Sequence, residues 1–191
     1  MMGWAAIVPW KQGDDSKSRL SGVLGLAARR ALASAMAAEV IARLSEIDAI
    51  HSLYLLSPAA VPEWPSQWLP DAGRGLNLEL AAARDRLGKG PFVVIHADLP
   101  CLTADDVACL LAAAETKGSA FAPDRHGRGT NAVALTDGQP FRFAFGPDSL
   151  TSHRQQRPNA AIVERTGLGF DLDTPADLDR LKNSARIMPS V

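Results

Sequence analysis

Apolar and polar positions along this chain change their period repeatedly, and each change marks an element. Residues 4–9 (Trp-Ala-Ala-Ile-Val-Pro) form a short apolar run cut off by proline, which predicts a strand. Residues 23–44 are rich in Ala and Leu at helical spacing and predict a long helix. A second strand is expected over 50–56, and a second helix over 76–87, ended by Gly88-Lys89-Gly90. The run Pro91-Phe92-Val93-Val94-Ile95 reads as a buried central strand, with Pro100 blocking its continuation. Thr103, followed by Asp105 and Asp106, caps a helix to about residue 117. Short strands are expected at 120–123 and 132–136, flanking a glycine-containing loop at 124–131. Pro147-Asp148-Ser149 opens a helix that carries His153 one turn inside. Residues 161–163 predict a strand and 168–173 an extended segment. Thr174 then caps a last helix with Pro175 in its first position. Residues 58–70 hold four prolines and two tryptophans and predict an irregular surface loop, to which no role attaches.

Strands alternating with helices imply an α/β fold: three layers, a mostly parallel central sheet with helices on both faces. The 191 residues suit a single domain, expected over 1–182, with 183–191 as a frayed tail. Lys plus Arg (20) nearly balance Asp plus Glu (21), so no global field points to nucleic acid or a membrane surface. An anionic ligand must therefore meet a local cluster of positive charge. Cys101 and Cys109 have no His or Cys neighbour at zinc-site spacing and read as reduced thiols. The first residues lack a charged leader with a long apolar core, and no apolar run approaches membrane-spanning length. The expectation is a soluble, cytoplasmic protein.

Four segments carry candidate chemistry, and all four are expected to end at the same sheet edge. The loop from Pro9 through Lys11 and Lys17 to Arg19 concentrates positive charge just before a helix, where a triphosphate is the natural guest. It lacks the glycine spacing of a P-loop or a dinucleotide fingerprint. In the segment 71–77, Gly73 and Gly75 let backbone approach a planar ligand, and Asn77 offers a donor and an acceptor to a base edge. A plain tight turn would use the same glycines. Asp98 falls at the carboxyl end of the central strand, where open α/β sheets hold their ligands, although an Asp there also serves as a cap or turn residue. With Asp171 and Asp173 from a second segment it could hold Mg²⁺, which prefers oxygen ligands and bridges to phosphates. Asp177, inside the last helix, reads as structural. Finally, Thr130 and Asn131 beside glycines, with Gly146 and Ser149 at a helix start, suit a phosphate or carboxylate. His153 is placed to reach the same ligand or to pack inside.

A triphosphate cradle, metal carboxylates and a second anion pocket together suggest nucleotidyl transfer. A phosphate acceptor is already nucleophilic at neutral pH, so the protein's part is positioning and charge neutralisation.

The motifs Val8-Pro9-x-Lys11, Ser16-Lys17-Ser18-Arg19-Leu20, Gly75-Leu76-Asn77, His96-Ala97-Asp98-Leu99-Pro100, Gly129-Thr130-Asn131-Ala132, Phe145-Gly146-x-x-Ser149-x-x-x-His153 and Asp171-Leu172-Asp173-Thr174-Pro175-x-Asp177-Leu178 occur in one order. That series resembles the 2-phospho-L-lactate guanylyltransferase family of coenzyme F-420 biosynthesis and covers nearly the whole chain. The resemblance implies a nucleotide-diphospho-sugar transferase-like (Rossmann-like) fold that transfers GMP from GTP to a three-carbon phosphoacid. The acceptor is 2-phospho-L-lactate, phosphoenolpyruvate or 3-phospho-D-glycerate. It implies Asp98 and Asp171 as Mg²⁺ ligands, with Asp173 a further candidate. It places GTP around Pro9, Lys11 and Gly75 to Asn77, and the phosphoacid at Thr130, Gly146 and Ser149. Two other readings stand beside it. A molybdopterin or sugar-phosphate nucleotidyltransferase usually carries a Leu-Ala-Gly-Gly loop where this chain has Val8-Pro9-Trp10-Lys11. A non-catalytic nucleotide-binding domain would need neither carboxylate.

Overall fold

In the strand β1 (Trp4–Pro9), Trp4, Ala6 and Val8 enter one hydrophobic core and Ile7 enters another, because successive strand side chains point to opposite faces. The same split runs through β4 (Phe92–Ile95): Val93 and Ile95 face the first core, Phe92 and Val94 the second. Strands buried on both faces read as continuous apolar runs, which explains why no polar residue interrupts 92–95. The computed structural model describes residues 3–11 and 17–183.

Helices α1 (Leu26–Ser45) and α3 (Ala104–Lys117) pack on the first face, through Val40, Ile41 and Leu44 and through Val107, Leu110, Leu111 and Ala114. Helix α2 (Leu76–Leu87) covers the second face through Leu80 and Ala83. Helix α4 (Ser149–Gln156) joins it there through Leu150. The remaining strands are β2 (Ile50–Ser57), β3 (Gln67–Pro70), β5 (Ser119–Pro123), β6 (Thr130–Leu135) and β7 (Ala161–Ile162). The seven strands run in the order β3-β2-β1-β4-β6-β5-β7. Every pairing is parallel except those of β6, which is antiparallel to β4 and to β5. The expected three-layer α/β architecture is what forms.

Several local expectations are corrected. The long helix starts at Leu26 rather than 23, because a 3₁₀ turn over Ser18–Leu20 and the turn after it precede Gly25 at the N-cap. The loop 58–70 is not wholly irregular: its last four residues form β3, parallel to β2, with Leu69 buried. Proline is tolerated there because β3 is an edge strand that needs no ladder donor on its outer side. Thr166–Gly169 forms one helical turn, α5, which takes the first two residues of the segment 168–173 expected to be extended. It turns there because Leu168, fully buried, joins the first core. Helix α3 begins as expected, with Thr103 and Asp106 exchanging hydrogen bonds in a capping box. The last helix, α6, spans Pro175–Asn183, and Asp177 accepts bonds from the Asp173 and Thr174 backbone N–H groups. That is the structural part expected of it. Of the basic loop, residues 12–16 lie outside the described residues, as do tail residues 184–191.

Candidate active site

The reversal of β6 decides where the site lies. Running against its neighbours, it starts at the edge where β1, β4 and β5 end. Ile95 pairs with Ala132, and the His96 N–H donates to the Asn131 carbonyl at 3.0 Å. Thr130 and Asn131 therefore stand beside His96 and Asp98. The segment before α6 joins them, because the Leu172 N–H donates to the Asp98 carbonyl at 3.1 Å.

Lys17 forms the centre of the polar cluster. Its Nζ lies 2.6 Å from Asp98 Oδ2 and 2.8 Å from Asp173 Oδ1, with only 8% of its side chain exposed. Its backbone is left-handed (φ 53°), an uncommon conformation for a side-chain-bearing residue and one that tends to collect at functional sites. Burial opposes the charge on both partners, but each holds the other ionised: Asp98 sits below and Lys17 above its ordinary value. Asp171 shows the opposite balance. Burial first, then the charges of Asp98 and Asp173, push its carboxyl up. Its side chain receives a long 3.5 Å contact from Asn131 Nδ2, and Arg125 Nη1 donates to its backbone carbonyl at 3.0 Å. Arg125 also reaches Asp177 at 2.6 Å, tying the loop after β5 to the acidic segment. Arg19 approaches Asp173 at 3.6 Å from an exposed position.

Two buried polar atoms at this centre, Asp98 Oδ1 and His96 Nε2, have no protein partner among the described residues. Burial pushes the His96 pKa down, so its ring is neutral, and it packs against Phe145 with ring centroids 4.8 Å apart. Hard oxygen donors with a spare buried lone pair fit a divalent cation. Among the described residues no three acidic, imidazole or thiolate groups form a ready metal cage. Mg²⁺ needs none when phosphates complete its shell.

From this centre a cleft of about 470 Å³ runs toward β2 and β3. Lys17, His96, Asp98 and Asp173 contribute polar groups to its lining, and Pro9, Trp10, Leu56 and Leu76 contribute apolar walls. Lys11, Gly73 and Gly75 also line it. Gly75 has φ +99°, and nothing lies within 4 Å of where a Cβ would stand, so the backbone is bare toward a ligand. Glu79, 2% exposed, holds this loop in place. Its Oε1 accepts from the Ala72 and Arg74 N–H groups at 3.1 and 3.0 Å, and Arg74 clasps the carboxylate. These bonds hold its pKa down at about 2, with the Arg74 side chain the largest cause.

The residues expected to hold a phosphoacid also converge. Thr130 Oγ1 lies 3.1 Å from His153 Nδ1 and 3.2 Å from Ser149 Oγ. His153 Nε2 accepts from the Ala144 N–H at 3.0 Å, so the ring proton sits on Nδ1 and is donated to Thr130. Burial holds this imidazole neutral, its pKa pushed down to about 4. Thr130 thereby receives two donors and keeps its own hydrogen free. His153 is fully buried among Phe121, Phe141 and Phe145 and reaches a ligand only through Thr130. Gly146, with φ +135°, precedes this helix, and its carbonyl accepts from the Ser149 N–H. The Asn77 amide spends both ends on Phe145, donating to its carbonyl at 3.0 Å and accepting from its N–H at 2.8 Å. It thus clamps α2 to the acceptor side, while Gly73, Gly75 and Leu76 face the cleft.

The sequence alone gives no part to Trp10, His96, Glu79 or Arg125. His96 stands inside a motif, and an acid in a helix's first turn is a visible signal at Glu79. Arg125 and Trp10 carry none.

The fold is one shared with solved structures. It matches a protein of Desulfovibrio desulfuricans G20 classed with the nucleotide-diphospho-sugar transferases, with TM-score 0.75 and 14% identity, over 99% of this chain and 90% of that one. It also matches 4-diphosphocytidyl-2C-methyl-D-erythritol synthase, with TM-score 0.64 and 12% identity, over 96% and 99%. Both likenesses are likenesses of fold. Residues 4–182 match the family described as guanylyl transferase CofC like, so the chain belongs to it and the molecule is a nucleotidyltransferase. It is 36% identical to the phosphoenolpyruvate guanylyltransferase of Sphaerobacter thermophilus over 95% of this chain and 94% of that one. The enzyme of the same name from Chloroflexus aggregans is also 36% identical, over 92% and 93%. The molybdopterin, sugar-phosphate and non-catalytic readings are not favoured. No helix among the described residues is long and apolar enough to cross a membrane.

Proposed function

We propose that this enzyme transfers GMP from GTP to phosphoenolpyruvate and releases pyrophosphate, the activating step of coenzyme F-420 biosynthesis. The observation that carries the reading is the Lys17 ammonium between Asp98 and Asp173, beside an unpaired buried Asp98 oxygen, at the mouth of a nucleotide-sized cleft. Among the three acids, phosphoenolpyruvate is favoured because it stands in the names of the relatives.

In this reading an oxygen of the acceptor phosphate attacks the GTP α-phosphorus. A new P–O bond forms as the α–β bridging bond breaks, and pyrophosphate leaves with that electron pair. Lys17, with Lys11 and Arg19, offsets the charge that builds on the triphosphate. Thr130 donates its free hydrogen to the acid, with Ser149 and the bare backbone of Gly146 beside it. Asp98, with Asp171 and Asp173, would hold Mg²⁺, which supplies neutralisation of the phosphate oxygens when bound.

The test is Mg²⁺-dependent pyrophosphate release from GTP with phosphoenolpyruvate, 2-phospho-L-lactate and 3-phospho-D-glycerate compared at one concentration. Phosphoenolpyruvate should give the highest kcat/KM. A higher value for either other acid replaces the acceptor, and no release with any of the three refutes the function.

A further inference from the structure

The loop 58–66, between β2 and β3, places one side chain where the reaction needs a wall. Trp64 packs on Trp10, with ring centroids 4.8 Å apart and an interplanar angle of 44°. Both indoles, together with Val61, rest on the core built from Val8, Leu53 and Leu55. The Trp10 N–H donates to the Leu56 carbonyl at 2.9 Å, so its backbone extends the β1–β2 pairing and its position is fixed. Trp10 nevertheless remains part of the cleft lining. Its indole Nε1 is buried and has no acceptor among the described residues. Three of the unpartnered buried polar atoms, Trp10 Nε1, His96 Nε2 and Asp98 Oδ1, thus belong to residues lining a single cleft.

The cleft's lining combines two chemistries. Lys17, Asp98 and Asp173 give it ionic groups, while Trp10, Leu56 and Leu76 give it apolar surface. A nucleoside triphosphate combines the same two, in a charged tail and a planar base. We infer that Trp10 forms the aromatic wall against which the purine base of the nucleotide packs, and that Trp64 is the positioning residue that holds it there. The inference rests on the GTP-dependent reading above and assigns a base contact within it. An indole offers a large rigid face at low entropic cost, and stacking tolerates any base. Trp10 therefore supplies affinity for the base and leaves discrimination among bases to other groups.

The experiment compares wild type with Trp10→Leu, Trp10→Phe and Trp64→Leu, using GTP as substrate and inorganic tripolyphosphate as a competitor that has no base. Trp10→Leu should raise the KM for GTP by about 5- to 150-fold, the range expected for losing one base–aromatic stack. It should leave kcat, the KM for phosphoenolpyruvate and the inhibition constant of tripolyphosphate within about twofold, a margin far below the effect of a stack. Trp10→Phe, which keeps a ring, should retain most of the affinity, and Trp64→Leu should lose less than Trp10→Leu. Quenching of tryptophan fluorescence on adding GTP without acceptor should disappear in Trp10→Leu. An unchanged GTP KM in that variant, or an equal loss toward tripolyphosphate, overturns the aromatic wall and leaves the guanylyl reading standing. A wild-type enzyme that does not bind GTP at all overturns the function and, with it, this assignment.

Discussion

Replacing Glu79 with Gln isolates one buried charge that shapes the cleft without reaching the reacting atoms. The carboxylate is 2% exposed and accepts two backbone N–H bonds and a two-pronged clasp from Arg74. Its pKa of about 2, against an ordinary 4.5, corresponds to about 3 kcal/mol at most. Arg74 is half exposed, so solvent screening brings the expected loss in Glu79→Gln nearer about 2 kcal/mol at pH 7. The pKa is depressed in the folded state, so this stabilisation is complete above about pH 5 and is lost as the pH falls toward 2. With the screened value, the gap between wild type and variant should therefore narrow by about 1 kcal/mol at pH 4 and about 1.5 kcal/mol at pH 3. Urea unfolding followed by circular dichroism at pH 7, 5, 4 and 3 measures it. A gap that stays constant across that range would falsify the charge argument. Because residues 73 and 75 line the cleft, the same variant should raise the KM for GTP while leaving kcat nearly unchanged.

Further outcomes test the other parts. Asp98→Asn should lower kcat by about 100-fold or more with little change in melting temperature, since it removes a charge at a partly solvated strand end; retained turnover moves the cation site elsewhere. Thr130→Val removes the hydroxyl that His153 and Ser149 orient, and should raise the KM for phosphoenolpyruvate by about tenfold with the GTP KM unaltered. Equal effects on both substrates would place Thr130 away from the acid. Asn77→Ala leaves the Phe145 N–H without its acceptor and should cost about 1–3 kcal/mol of stability. Its kinetic effect should fall on the phosphoacid; a rise confined to the GTP KM would show that the amide reads the base instead.

By itself the sequence determined the order of strands and helices, because period and capping are local. The continuous run at 92–95, the Thr103–Asp106 box and Pro175 after Thr174 each report on a few neighbouring residues. It also named the residue types of the site, since motifs ending strands project from one edge of a parallel sheet. The edge strand Gln67–Pro70 escaped because Pro70 and the prolines before it mimic a loop, and the turn Thr166–Gly169 because burial of Leu168 overrode local preference. What only the tertiary structure decided is pairing between distant segments. Lys17 meets Asp98 across 81 residues of chain and Asp173 across 156. The reversal of β6 carries Thr130 to His96, and Trp64 comes to rest on Trp10. Such partners follow from strand direction and from burial that leaves a charge or an N–H no other companion, and neither is written in spacing.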